Sequence, residues 1–159
     1  MQLSAAMDAG PIYNQITVPL LGDETLPDQE IQLGELGARE LCLTLPAIMN
    51  GTVQPTPQDD TKATYCQLLT KQESALDTEK LTSAQAERHV RAYLAFPKTK
   101  TTVAGQPIVI TKAHVSETST SPLDIACADG RFLSVDELIG PSGKAMNTSA
   151  FLNGYTRHS

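Results

Sequence analysis

The chemistry this sequence can offer is concentrated in one basic run. Arg88 and Arg91 lie three residues apart, and Lys98, Lys100 and Lys112 follow them. Between residues 80 and 112 there are six Lys/Arg and a single acid, Glu87. Clustered guanidinium and ammonium groups bind phosphate by charge-assisted hydrogen bonds and by releasing condensed counterions. Arginines three apart on a helix share a face, and Lys98 and Lys100 fall on one side of an extended strand. Arg88, Arg91, Lys98, Lys100 and Lys112 are therefore the candidate nucleic-acid contacts; the alternative is an ordinary solvated face. The rest of the chain pulls the other way. Residues 1–78 carry three Lys/Arg against eleven Asp/Glu, and the whole has a net charge of −6, which repels RNA at long range.

The other reactive side chains are scattered. Cys42, Cys66 and Cys127 are odd in number and show no CxxC, which argues against a disulfide framework and structural zinc and predicts buried or half-buried thiols. Asp59-Asp60 has no third ligand nearby, so no metal site is expected. His89 falls between the basic and apolar faces of its helix, where a satisfied histidine is the ordinary outcome. His158 is in the tail. Asp8, ahead of Gly10-Pro11, reads by itself as a turn residue.

The element that must position the arginines is the best-punctuated helix of the chain, within Leu81–Pro97. Thr82 can cap it, with Gln85 at the capping-box spacing. Ala86, Val90, Tyr93 and Leu94 form one apolar face, and Pro97 pushes Phe96 out of helical geometry. Beyond Pro97 the periodicity becomes alternating. Strands are expected at 100–103 and 108–115, then at 123–128 and 131–135 around the hairpin signal Asp129-Gly130. Asn147 caps a short last helix that ends near Gly154. Upstream, 12–20 alternates like a strand and 28–50 reads as a helix closed by Asn50-Gly51, weakened by Gly34, Gly37 and Pro46. Residues 52–63 are a proline-marked linker, 63–69 a short strand, and 71–77 a turn.

At 159 residues with 40% hydrophobic content the chain is long enough and apolar enough to bury a core; with no Trp, that core is Leu, Ile, Val and Ala. No run of about 18 apolar residues exists, so no membrane partner is expected. The first residues lack the basic region of a signal peptide, which makes the cytoplasm the default address. The expected fold class is α+β: a small OB-like β-barrel with a leading helix, preceded by a strand and helix.

In order and spacing the sequence resembles methionyl-tRNA formyltransferase, from the end of its catalytic domain to its C-terminus. The resemblance rests on Met7-Asp8-Ala9-Gly10-Pro11-Ile12, Gly34-Glu35-Leu36-Gly37-Ala38, Asn50-Gly51-Thr52, Pro57-Gln58-Asp59, Ala63-Thr64-Tyr65, Lys71 and Leu76-Asp77. It continues through Arg88, Arg91-Ala92-Tyr93, Pro97, Gly105-Gln106-Pro107, Ala128-Asp129-Gly130 and Gly143-Lys144-Ala145-Met146. It implies that residues 1–51 are the strand–helix remnant of a Rossmann-like formyltransferase domain, 52–78 a linker, and 79–159 the tRNA-side barrel. The implied donor is 10-formyltetrahydrofolate and the implied acceptor initiator methionyl-tRNA. Asp8 is the implied catalytic carboxylate, with Asp8 and Gly10 bordering the formylfolate pocket. The family's catalytic Asn and His-x-Ser-Leu-Leu-Pro are expected upstream, in a missing N-terminal catalytic half; His114-Val115-Ser116 matches only His-x-Ser. The chain alone is therefore expected to be inactive. The apolar stripe of residues 12–50 is expected to pack on the barrel, pair with a second copy, or stay mobile. Two alternatives stand beside this reading: an amino-sugar or other folate-dependent formyltransferase of the same build, and a stand-alone binding module.

Overall fold

The computed structural model describes residues 1–155. Two compact units emerge: residues 1–22 with 28–68, and residues 23–27 with 69 onward.

The first unit is built on α1, Leu26–Met49. Apolar residues at helical spacing drive it, and its end follows the glycine-closed pattern: the Asn50 N–H bonds the Pro46 carbonyl, and Gly51 turns left-handed at φ +68 with its N–H on the Ile48 carbonyl. No α1 residue is buried; Ile31 is 65% exposed, Leu43 68% and Met49 78%. A helix apolar on several sides is the kind that large cores enclose. The strand expected at 12–20 is not formed. Ile12 makes one bridge, to Thr56, and 13–20 runs without a ladder. Alternation alone does not make a strand, because an extended segment is stable only when a neighbour takes its N–H and C=O groups, and Pro19 has no N–H to give. The short strand expected at 63–69 is likewise irregular; it lies between helical turns at 60–62 and 71–74.

The second unit is α+β. Its elements are α2 (Ser83–Ala92), β1 (Thr99–Val103), β2 (Gln106–Ser116), β3 (Asp124–Ala126), β4 (Phe132–Ile139), β5 (Ala145–Asn147) and α3 (Thr148–Tyr155). The strands form one antiparallel five-stranded sheet in the order β1-β2-β4-β3, with β5 also on β4. Ala104 and Gly105, both at positive φ (50° and 74°), make the tight turn that joins β1 to β2. α2 starts as its sequence dictates: the Gln85 N–H bonds Thr82 Oγ1 and the Thr82 N–H bonds Gln85 Oε1. It stops at Ala92, one turn earlier than Pro97 requires. The Asn147 side chain caps α3 through the Ala150 N–H at 2.9 Å.

Ala86 and Val90 of α2, Ile108 and Ile110 of β2, Leu133, Val135 and Leu138 of β4, and Phe151 of α3 form one buried cluster with Leu123 and Cys127. Halfway along, the β2–β4 ladder shifts register on both sides of Lys112↔Glu137. The inward set on β2 changes there from Ile108 and Ile110 to Ala113, and on β4 from Leu138 to Val135 and Leu133. Without this irregularity Lys112 and His114 would continue the inward series.

Phe151 is 0% exposed and is the largest fully buried side chain. Phe151→Ala should destabilise the unit by about 3–5 kcal/mol in urea or guanidinium unfolding; a loss below about 1 kcal/mol would show that α3 is not part of the core.

Candidate nucleic-acid interface

In the first unit, Asp8 is exposed at φ +54 and Gly10 is buried. Their loop is held by main-chain groups. Gln58 Nε2 donates to the carbonyls of both Asp8 and Gly10 at 2.7 Å, and the Gln2 N–H bonds the Pro11 carbonyl at 2.8 Å. A Cβ at Gly10 would lie 1.7 Å from the Gln2 carbonyl oxygen, so only glycine fits. The Asp8 carboxylate is thus presented to solvent by a loop shaped without it. An apolar groove of about 620 Å³ runs between α1 and residues 1–18, lined by Ile16, Val18, Leu33, Leu36 and Ile48 among others; neither Asp8 nor Gly10 lines it.

In the second unit the structure separates the five basic candidates. Arg91 is engaged: its Nε and Nη2 bond the two Glu87 carboxylate oxygens at 2.6 and 3.0 Å, and Nη1 donates to the Glu24 carbonyl at 2.7 Å. Arg88, on the same helix, is exposed and has no ion-pair partner among the described residues. Lys98, at φ +67, leads into β1. Lys100 stands opposite Val109, and Lys112 opposite Glu137, on the face of the sheet away from Ile108 and Ile110. α2 packs through Ala86 and Val90 on the inward face. Arg88 therefore belongs to the helix layer, and Lys100 and Lys112 to the other side of the sheet.

The residue that ties these elements together is His89. Its Nε2 donates to the Glu73 carbonyl (3.2 Å), which can only accept, so Nδ1 of the neutral ring is the acceptor facing Thr99 Oγ1 at 3.0 Å. The ring also lies edge-on to Tyr93, centroids 4.2 Å apart. His89 thereby fastens α2 to the start of β1 and to the 71–74 turn. That turn carries Lys71, which the sequence placed in the linker and not among the nucleic-acid contacts, and which shares a groove with Lys100. Lys71 stood alone in a polar stretch, and only the bridge between Ala75 and Lys100 brings it to β1.

The remaining candidates are structural. Asp59 caps the 60–62 turn through the Thr61 N–H and pairs with Lys62 at 3.2 Å; the Thr61 hydroxyl, then Lys62, hold its pKa below the usual carboxylate value. His114 Nδ1 lies 2.9 Å from Asp136 on the outer sheet face, and Ser116 donates to the Thr118 carbonyl, so the His-x-Ser match is a piece of strand. Cys127 is buried as expected, but Cys42 and Cys66 are exposed; the first lies on the uncovered α1 and the second in the irregular 63–69 segment. Among the described residues no group of His, Cys, Asp and Glu could hold a metal ion, and no helix is long and apolar enough to cross a membrane. His158 lies outside the described residues.

Burial lowers the pKa of His89, against a smaller upward pull from its bond to the Glu73 carbonyl. Below the ordinary imidazole value of about 6.5 the unfolded chain takes up a proton that the folded ring resists. Stability should therefore fall as pH drops from about 7.5 through that value, and level off once the folded ring also protonates. His89→Gln should remove this component from urea unfolding measured between pH 7.5 and 5.5; an identical pH slope in the variant would contradict the assignment.

Comparison with known proteins gives two findings. A family described as "Formyl transferase, C-terminal domain" matches residues 68–156. The chain is also similar to solved structures of HypX from Aquifex aeolicus. The complex with tetrahydrofolic acid superposes with a TM-score of 0.69 at 18% identity, over 98% of this chain and 29% of that one. Two variants give 0.68 at 17% identity, over 98% and 30% of the two chains, and 0.66 at 20% identity, over 95% and 29%. At these identities the likeness is one of fold, and this chain spans about 30% of the length of those structures.

Proposed function

The chain belongs to the formyl transferase C-terminal-domain family, and from that premise we propose that it is the acceptor side of a methionyl-tRNA formyltransferase. In this reading the whole enzyme, working in the cytoplasm, moves a formyl group from 10-formyltetrahydrofolate to the amino group of initiator methionyl-tRNA. Residues 79–159 support the tRNA as a small OB-like barrel, 52–78 link it to the catalytic half, and 1–51 close that half. The carrying observation is that the family match at 68–156 coincides with the unit whose Arg88, Lys98, Lys100 and Lys112 have no ion partner among the described residues. The β2–β4 register shifts support the barrel reading, since such irregularities are the devices by which sheets curve. A folate donor draws support from the HypX structure that holds tetrahydrofolic acid.

What this chain's own residues contribute to transfer is limited. Formyl transfer to an amine needs donors for a developing oxyanion and a group to take the amine proton. Asp8 is a solvent-facing carboxylate suited to the second task, on a loop whose tight Gly10 turn can form one border of a donor site. That loop encloses nothing by itself. Arg88, Lys98, Lys100 and Lys112 hold phosphate, whereas Arg91 fixes α2 through Glu87.

Phosphate contacts of this kind are blind to base sequence. The purified chain should bind initiator and elongator tRNA alike, the affinity falling steeply between about 50 and 200 mM salt, and should give no folate-dependent formylation. Arg88→Glu should weaken both tRNAs equally. Lack of tRNA binding even at low salt would overturn the reading. It would favour the alternative, an amino-sugar or other folate-dependent formyltransferase of the same two-domain build.

A further inference from the structure

The outer face of an antiparallel sheet is ordinarily polar where it meets water. Here one cross-strand row breaks that rule. Lys100 on β1 pairs with Val109 on β2, which pairs with Ile139 on β4, and the next β1–β2 pair outward is Thr102↔Pro107. Val109 and Ile139 are half-buried, and with residues of the 71–75 turn, which runs beside β1, they line a groove of about 490 Å³. The wall is fixed in place. The Leu76 N–H bonds the Lys100 carbonyl at 3.1 Å, Ser74 Oγ donates to the Lys71 carbonyl at 2.8 Å, and His89 holds the Glu73 carbonyl.

The chemistry of the lining is specific. Lys71 on the wall and Lys100 on the floor are its cations, and neither has an ion-pair partner among the described residues. No acid lines it. The acid nearest in sequence, Glu73, has its carboxylate committed to the Thr70 N–H at 2.8 Å and the Thr70 hydroxyl. Thr102, on the same side of β1 as Lys100, adds a hydroxyl, and Val109, Ile139 and Pro107 make an aliphatic floor. No aromatic residue is present, so unpaired bases have nothing to stack on. Two ammonium groups, the Thr102 hydroxyl and an aliphatic floor match an alternation of phosphates and riboses, the threonine suited to a 2′-hydroxyl.

We propose that this groove seats the sugar–phosphate backbone of tRNA, with Lys71 and Lys100 on phosphates and the Val109–Ile139 row under the ribose. The proposal rests on the tRNA reading above and adds to it a site and a residue, Lys71, outside the basic run of α2 and β1.

The test is the salt dependence of tRNA binding for the wild-type chain, Lys71→Gln/Lys100→Gln, and Arg131→Gln as a control at the far hairpin. Each lost phosphate contact lowers the log–log slope by about 0.7 to 0.9. The double variant should therefore lose about 1.4 to 1.8 from the slope for every tRNA alike, and the control should keep the wild-type slope. Wild-type binding with an unchanged slope in the double variant, or an equal loss in the control, would overturn the groove and leave the tRNA reading standing. Failure of the wild type to bind at low salt would overturn both.

Discussion

The arrangement of the second unit depends on which side of β2 faces α2. Ala86 and Val90 pack over Ile108 and Ile110, and Phe151 closes the same cluster. Burying such side chains is worth roughly 1.5–3 kcal/mol each, far more than any surface charge contact in this unit. Once Ile108 and Ile110 point inward, Val109 and its partners Lys100 and Ile139 must point outward, because side chains alternate along a strand. The outer row is thus a consequence of core packing, and its aliphatic character is the part that packing does not explain. The register shift around Lys112↔Glu137 then lets the strand pass from one inward parity to the other, which keeps Lys112 and His114 out of the core.

A second layer of organisation is polar and local. Thr82 and Gln85 start α2, Asp129 takes the Ser83 N–H and hydroxyl at 3.1 and 2.8 Å, and His89 joins the helix to Thr99 and Glu73. Separate ion pairs decide which of the basic residues are available to a ligand. Lys80 belongs to Asp77, Arg91 to Glu87, and Arg131 to Glu117. Among the described residues of this unit, Lys71, Arg88, Lys98, Lys100, Lys112 and Lys144 remain without an ion pair. An acidic chain can therefore carry usable local positive potential, since screening over about 8–10 Å isolates a patch from distant carboxylates.

Much of the second unit was legible in the sequence because its signals are short-range. The Thr82–Gln85 box, the Asp129-Gly130 turn and the Asn147 cap each act within a few residues, and each is found where the spacing put it. What depends on partners was not. Residues 12–20 alternate like a strand yet have no ladder, and α1 has the apolar residues of a core helix yet buries none. Helical spacing put Arg88 and Arg91 together, but the Glu87 one turn before Arg91 captures it. Lys71 could not be joined to Lys100 from sequence, since a parallel bridge at Ala75 makes the connection. β5, three residues long, exists only because β4 offers it an edge. The family resemblance brought order to these pieces, and the match over 68–156 supports it at the level of the formyl transferase C-terminal domain.

The central proposal is that the groove on the outer face of the sheet, lined in part by the 71–75 turn, takes part in RNA binding beside the Arg88 contact. Its most direct test is an amide NMR titration of the labelled chain with tRNA. The largest shifts should fall at Gln72, Ala75, Lys100, Thr102 and Val109, which line the groove. Saturating binding that leaves those amides unmoved, with shifts confined to α1 or to the Arg88 side of α2, would contradict the account.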